Sequence, residues 1–179
     1  MLIAETKKKK NIAEYVIYMW QTEELIRSYD LDITRIKNSI VTFLPVSDQE
    51  KDVITNWYGQ LITAMEQEQL QTHGHLQETK TIIGALDKLH HLLLDVMKDV
   101  EYHKLISNSV EPLETFRKMA PDRHFSTVEI CLNAVYGFLL LRLNNKPIDD
   151  EMTKLVDQFG LILSYLSYKY LENKQGRFN

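Results

Sequence analysis

The chain has 179 residues, of which 44% are hydrophobic and 26% are charged, and its formal net charge is −4 at pH 7. This length corresponds to one ordinary domain, which can bury roughly two thirds of its unfolded surface. The composition excludes a disordered chain, and the negative charge gives no general attraction to nucleic acid or to an anionic membrane. We therefore expect a globular protein with neither nucleic acid nor a membrane as a partner.

Four consecutive lysines, Lys7–Lys10, form the concentrated basic patch of the sequence. One interpretation is a basic arm that contacts phosphates, but a short tract near a terminus, without interleaved arginines or aromatic residues, is typical of a solvated tail. We therefore predict a flexible basic tail over residues 1–10 and a single helical-bundle domain over residues 11–179. The first residues lack the apolar core of a signal peptide, and the single cysteine, Cys131, suits a reducing compartment, so we expect a cytoplasmic protein.

Apolar residues recur at helical spacing along the chain. Two helix starts, Ser47 with Glu50 and Ser126 with Glu129, match the capping box, in which each side chain satisfies a free backbone amide. Helices are predicted over about Asn11–Tyr29, Asp32–Leu44, Ser47–Thr72, Leu76–Ser107, from Ser109 to before Pro121, Ser126–Asn144 and Asp149–Glu172, with a loop over Ala120–Phe125. Because no segment alternates at period two, the predicted fold class is all-α, a single-domain helical bundle of about seven helices.

The first predicted helix carries charges on its apolar side. Glu23, Arg27 and Asp30 project into the apolar arc, and the spacing of Glu23 and Arg27 suits a helix ion pair. One interpretation is a polar cavity, bordered by Tyr15, Trp20, Glu23 and Arg27, that binds a small anion or polar ligand. The other is an interhelical salt-bridge network that fixes packing, since structural ion pairs perturb their surroundings as binding sites do.

Histidines supply a second candidate site on the longest predicted helix. His90 lies in its core seam, three residues after Asp87, and Asp99 and His103 are four residues apart. Helical bundles build metal sites from inward-facing carboxylates and histidines, so His90 and His103 are candidate metal ligands. The alternative is a hydrogen-bonded core histidine, because Glu-x-x-His, His-Glu-x-x-His and Cys-x-x-Cys motifs are all missing from the sequence. We expect no cofactor.

The last two predicted helices are apolar on more than one face. In the final helix, Leu161, Tyr165 and Tyr168 form a second stripe opposite the main one. A surface helix needs only one stripe, so each helix is either sandwiched within the monomer or covered in part by another chain. We predict that Leu161, Tyr165 and Tyr168 help form a symmetric homodimer, since an uncovered patch is a liability. On the preceding helix, Asn133 and Gly137 share a face, where glycine allows close helix approach.

The segment Asn11-Ile-Ala-Glu-Tyr-Val-Ile-Tyr-Met-Trp-Gln-Thr-Glu-Glu-Leu-Ile-Arg27, with the length and the all-helical pattern, resembles a family of uncharacterised all-helical proteins of Bacteroides-type bacteria, a domain of unknown function. The resemblance covers essentially the whole chain and implies a bacterial cytoplasmic setting. It transfers no functional residues, because the family has no established activity, but it directs attention to the segment from Tyr15 to Glu23.

No sequence template of known catalytic mechanics is present, whether a phosphate-binding glycine loop or a nucleophile elbow. We therefore predict a non-catalytic interaction or binding module that self-associates through its C-terminal helices, with an unidentified small polar ligand or protein as a further partner. The alternative is a bundle-core enzyme, or a protein that binds a metal or small ligand, using Glu23 and Arg27 or His90 and His103.

Overall fold

The computed structural model describes residues 2–119 and 124–174, and all regular elements in this part of the chain are helical. The nine α-helices are α1 (Leu2–Lys10), α2 (Ile12–Ser28), α3 (Ile33–Ser39), α4 (Asp48–Gln67), α5 (Gln77–His91), α6 (Val100–Ser107), α7 (Val110–Met119), α8 (Thr127–Leu143) and α9 (Asp150–Lys174). A 3-10 turn at Val41–Phe43 and a π-helical turn at Leu92–Val96 complete the described elements. The all-α fold class is confirmed, whereas the expected number of about seven helices is wrong.

The first additional helix is α1, where the sequence predicted a tail. Lys7 pairs with Glu14 at 3.1 Å and Lys8 pairs with Glu78 at 2.6 Å, and Ala4 is buried. These carboxylate partners lie outside the lysine run, and for this reason the local composition did not indicate them. The flexibility of residues 1–10 stays a prediction.

The second additional helix arises because the longest predicted helix is interrupted. α5 ends at His91, the π-helical turn follows, and Lys98 has a positive φ of 50°. α6 begins after Asp99, whose carboxylate accepts a hydrogen bond of 3.0 Å from the backbone N–H of Tyr102, as an N-cap residue does. Apolar spacing continues across this break, so periodicity alone predicted a single helix.

The chain forms two compact units. Unit 1 comprises Met1–Lys9 and Glu14–Thr81, and unit 2 comprises Lys10–Ala13 and Ile82–Asn179. In unit 1, α3 packs against α4 and the 3-10 turn. Its buried apolar side chains include Val16, Met19, Ile26, Ile36, Ile62 and Met65. The single-domain organisation stays a prediction.

The predicted start of α4 is confirmed and its end is corrected. Ser47 and Glu50 form the capping box, with hydrogen bonds in both directions. The helix ends at Gln67, earlier than predicted, because Gln69 takes a left-handed conformation with a φ of 58°. Gly74, with a φ of 90°, lies further along in the connection between α4 and α5.

Unit 2 is built around α8 and α9, which pack against each other, with α7 on α8 and α6 on α9. Ser126 and Glu129 form the predicted capping box of α8. Cys131 is buried within α8, and this burial raises the pKa of its thiol well above the usual range. The thiol therefore stays protonated and packs as an apolar group.

Part of the predicted loop Ala120–Phe125, and the predicted helix end before Pro121, lie outside the described residues. None of the helices in the described ranges combines the length and the hydropathy that a membrane-spanning segment requires.

Candidate functional sites

The buried carboxylate of Glu23 on α2 is the centre of a polar cluster in unit 1. Its Oε2 lies 2.6 Å from Nδ1 of His75, and its Oε1 accepts a hydrogen bond of 3.1 Å from the backbone N–H of Leu76. The indole of Trp20, also buried, stacks on the His75 ring with centroids 4.5 Å apart. Both bonds go to residues just before α5, so Glu23 fixes the end of the connection between α4 and α5.

Arg27 does not pair with Glu23, although the spacing of the two residues suits a helix ion pair. Its guanidinium donates to the backbone carbonyl of Leu70 at 3.0 Å and to that of Gly74, and it pairs with the exposed Glu24 at 2.7 Å. Spacings of three and four both bring helical side chains together, and the carbonyls of the connection attract the guanidinium away from Glu23. Trp20, Glu23 and Arg27 of α2 thus hold this connection. These three residues and His75 are called the Glu23 cluster hereafter.

Tyr15, the remaining residue of the predicted polar site, lies apart from the Glu23 cluster, and so does Asp30. The hydroxyl of Tyr15 donates a hydrogen bond of 3.0 Å to Glu78, and Lys8 lies over its ring. Burial, followed by the charge of Glu78, raises the pKa of the Tyr15 hydroxyl well above its usual range. Asp30, which was expected on the apolar arc, is exposed and pairs with Arg35.

His90 and His103 occupy different environments in unit 2. His90 is buried, with Nδ1 2.7 Å from the hydroxyl of Tyr102, whereas His103 is exposed, with Nε2 2.9 Å from the carbonyl oxygen of Leu94. Burial, assisted by the neighbouring His91, lowers the pKa of the His90 imidazole to about 4. Within the described ranges, no group of three or more His, Cys, Asp or Glu side chains is placed to hold a metal ion. The metal interpretation of the two histidines stays a prediction.

A second polar cluster, missed by the sequence analysis, joins α6 to α9. Asp99 accepts hydrogen bonds from the hydroxyl of Tyr165 at 2.8 and 2.9 Å and pairs with Lys169 at 3.3 Å. Burial alone would raise the pKa of the Asp99 carboxyl, but hydrogen bonds from Tyr102 N–H and from Tyr165, with the charge of Lys169, lower it. The N-cap position of Asp99 is the sequence signal that could have marked this residue.

The three residues of the predicted interface stripe of α9 differ in their exposure to solvent. Leu161 and Tyr168 are 58% and 57% exposed. Tyr165 is half-buried, because its ring stacks on Tyr102 with centroids 5.6 Å apart. Only the outer two residues of the predicted stripe are therefore presented fully to a partner.

An apolar cavity of about 480 Å³, partly open to solvent, lies between α7, α8 and α9 in unit 2. Its lining on α8 includes Asn133, Ala134, Gly137 and Leu141. A Cβ added at Gly137 meets no atom within 4 Å, so the bare glycine backbone borders empty space. The expectation of close helix approach at Gly137 is therefore wrong, because the position on α8 that it shares with Asn133 faces a cavity.

The sequence profile of a family described as a domain of unknown function (DUF4924) matches residues 1–177. No curated protein and no solved structure matches the chain.

Proposed function

We propose that this chain, which belongs to the DUF4924 family, is a non-catalytic interaction module that self-associates through its C-terminal helices. The single observation that carries the proposal is the exposure of Leu161 and Tyr168 on α9, a helix whose opposite side is buried in unit 2. Two large apolar side chains two turns apart form a compact contact about 10 Å long. A bacterial cytoplasmic setting is part of the same proposal.

The polar side chains favour structural roles over catalysis. Glu23 and Arg27 bond to the connection between α4 and α5, and His90 bonds to Tyr102. An enzyme would be expected to bring such groups together in one concave, partly wet pocket. The cavity of unit 2 has, among its described lining residues, Asn133 as the sole polar one. These observations therefore favour a non-catalytic interaction module over a bundle-core enzyme.

The exposed face of α9 supports a specific symmetric pairing. Lys154, Asp157, Leu161, Ser164 and Tyr168 are exposed on this helix at spacings of three and four residues. In a homodimer with a two-fold axis, the same surface of each copy meets its equivalent. An antiparallel pairing centred on Leu161 brings the two Leu161 side chains together and places Tyr168 opposite Lys154 of the second copy, since both lie seven residues from the centre. This arrangement adds a cation–π contact at each end of the apolar centre.

Sedimentation equilibrium of the full chain tests self-association. We expect an average mass well above the 21.0 kDa of the monomer at micromolar concentrations. Leu161→Glu should restore the monomer mass, because it places like charges at the centre of the pairing. The matched control is Val100→Glu, at a position in α6 that is 81% exposed, and it should leave the mass of the dimer unchanged. A monomer mass for the unaltered chain would overturn the proposal.

Disulfide cross-linking tests the register. Leu161→Cys should give a covalent dimer on mild oxidation, since the two residues meet at the axis, while the buried Cys131 contributes nothing. Val100→Cys should remain monomeric on a denaturing gel. If both variants cross-link equally, the α9 pairing is wrong.

A further inference from the structure

We infer that the cavity between α7, α8 and α9 is a binding site for a small, neutral and mainly apolar molecule. This inference goes beyond self-association, because the cavity lies between helices of unit 2 and does not include Leu161 or Tyr168. Its volume of about 480 Å³ falls within the range of sites for small organic ligands, roughly 300 to 1,000 Å³.

The space exists because α8 carries small residues where its neighbours carry large ones. Ala134 and Gly137 line the cavity on α8, and a Cβ at Gly137 would still meet no atom within 4 Å. Met152 and Val156 of α9 line the cavity too, but do not fill it. The cavity is partly open to solvent, because Met119 is 75% exposed and Asn133 is exposed, so its apolar lining meets water. A molecule that fills this space would remove that apolar surface from water, which is favourable.

The lining specifies the chemistry of the ligand. None of the described lining residues is charged, and burying an unpaired ion is costly, so the ligand is neutral. Three aromatic rings line the space, from Phe116, Phe125 and Phe138, and they favour a flat ring system. Met119 and Met152 are flexible enough to adapt to its outline.

One polar group of the lining can orient the ligand. Asn133 is exposed, and its amide nitrogen donates a hydrogen bond of 2.8 Å to the carbonyl oxygen of Glu129 in the preceding turn of α8. Its carbonyl oxygen can therefore accept a hydrogen bond from a ligand. The ligand class is thus a neutral aromatic molecule with one N–H or hydroxyl group.

The probe for the test is N-phenyl-1-naphthylamine, which is neutral, carries one N–H and fluoresces strongly in apolar surroundings. Titration of the full chain should show saturable binding with about one site per chain. The matched probe is 1-anilinonaphthalene-8-sulfonate, which has the same rings and an added negative charge. We expect it to bind at least about ten-fold more weakly. Equal or tighter binding of the sulfonate would overturn the neutral ligand class.

Variants locate the site. Gly137→Leu places a side chain in the cavity and should weaken binding of the neutral probe more than about ten-fold. Gly160→Leu is the matched control: it makes the same change in α9, where an added Cβ also meets open space, outside the lining. Circular dichroism should show the same helix content for both variants.

A third variant keeps the test independent of the folding of Gly137→Leu. Asn133→Ala alters an exposed residue and removes the acceptor, and it should weaken the neutral probe several-fold. Wild-type affinity in both Gly137→Leu and Asn133→Ala would place the probe elsewhere on the surface and overturn the inference. Because Leu161 is not involved, Leu161→Glu should bind the probe normally, so failure of the dimer and failure of the cavity site are distinguishable.

Discussion

The Glu23 cluster of unit 1 and the apolar cavity of unit 2 differ in whether their groups already have partners within the protein. In the cluster, the buried carboxylate of Glu23 has two protein partners, and Arg27 has three. In the cavity, the backbone at Gly137 borders open space. Groups that already have partners inside the protein have little left to offer a ligand, whereas unfilled apolar space gains contacts when a ligand enters it.

The comparison shows that the residues that stand out in the sequence are not the ones that leave room for a ligand. The buried Glu23 and the half-buried Arg27 on an apolar helix face attract attention because charges are rarely buried without a reason. Here the reason is a connection between helices, whose carbonyls and N–H groups would otherwise lack partners. Ala134 and Gly137 are inconspicuous, yet it is at such small residues that the fold leaves space.

Removing the Glu23 carboxylate gives the largest expected effect on stability. Glu23→Ala leaves the buried N–H of Leu76 unpaired and frees His75, so we expect a loss of about 3 kcal/mol in the free energy of unfolding. Urea denaturation followed by circular dichroism measures this loss. Glu24→Ala, the adjacent exposed carboxylate, is the control and should cost less than about 1 kcal/mol. Equal losses for the two variants would show that the Glu23 carboxylate does not stabilise the connection between α4 and α5.

The second largest expected effect is a dependence of stability on pH, and it comes from His90, the buried histidine of unit 2. The folded-state pKa of His90 is about 4, and the unfolded value is near 6.5. Between these values the unfolded state binds the proton preferentially, so stability is lost as the pH falls from 6.5 towards 4. The slope from this group approaches about 1.4 kcal/mol per pH unit. Urea denaturation at pH values across this window measures it.

Two variants isolate the contribution of His90. His90→Gln should flatten the decline in stability between pH 6.5 and 4, although it also weakens the bond to Tyr102. His91→Gln changes the exposed neighbouring histidine and should keep most of the slope. An unchanged slope in His90→Gln would mean that other groups cause the acid sensitivity.

The sequence was sufficient for those features that depend on local spacing. The capping boxes of Ser47 and Ser126, the all-α fold class and the buried seam position of His90 follow from patterns within a few residues. The interruption before Asp99 could not be predicted in this way, because the apolar residues keep helical spacing through the π-helical turn. Its left-handed residue is Lys98, a residue type that gives no turn signal.

The candidate sites depended on contacts that no local pattern encodes. Arg27 has Glu23 and Glu24 within helical reach, and the choice was decided by carbonyls more than forty residues away in sequence. Tyr165 lies in the predicted stripe of α9, but it stacks on Tyr102 of α6 and donates a hydrogen bond to Asp99, the N-cap residue of α6. The cavity is set by how three helices come together, so single residue types could not indicate its volume.

Two glycine substitutions give the smallest effects and compare the two units directly. Gly137→Ala should raise the free energy of unfolding by about 0.5 to 1 kcal/mol, because alanine favours the helix and its Cβ enters empty space. Gly74→Ala should lower it by about 1 kcal/mol, because Gly74 has a φ of 90° and the added Cβ would lie 3.0 Å from a methyl carbon of Leu70. Gly59→Ala on α4, where a Cβ also meets open space, measures the helix preference without the cavity. A loss of stability in Gly137→Ala alongside a gain in Gly59→Ala would mean that other atoms already contact Gly137 in solution. The cavity would then offer no open space, and its contrast with the Glu23 cluster would disappear.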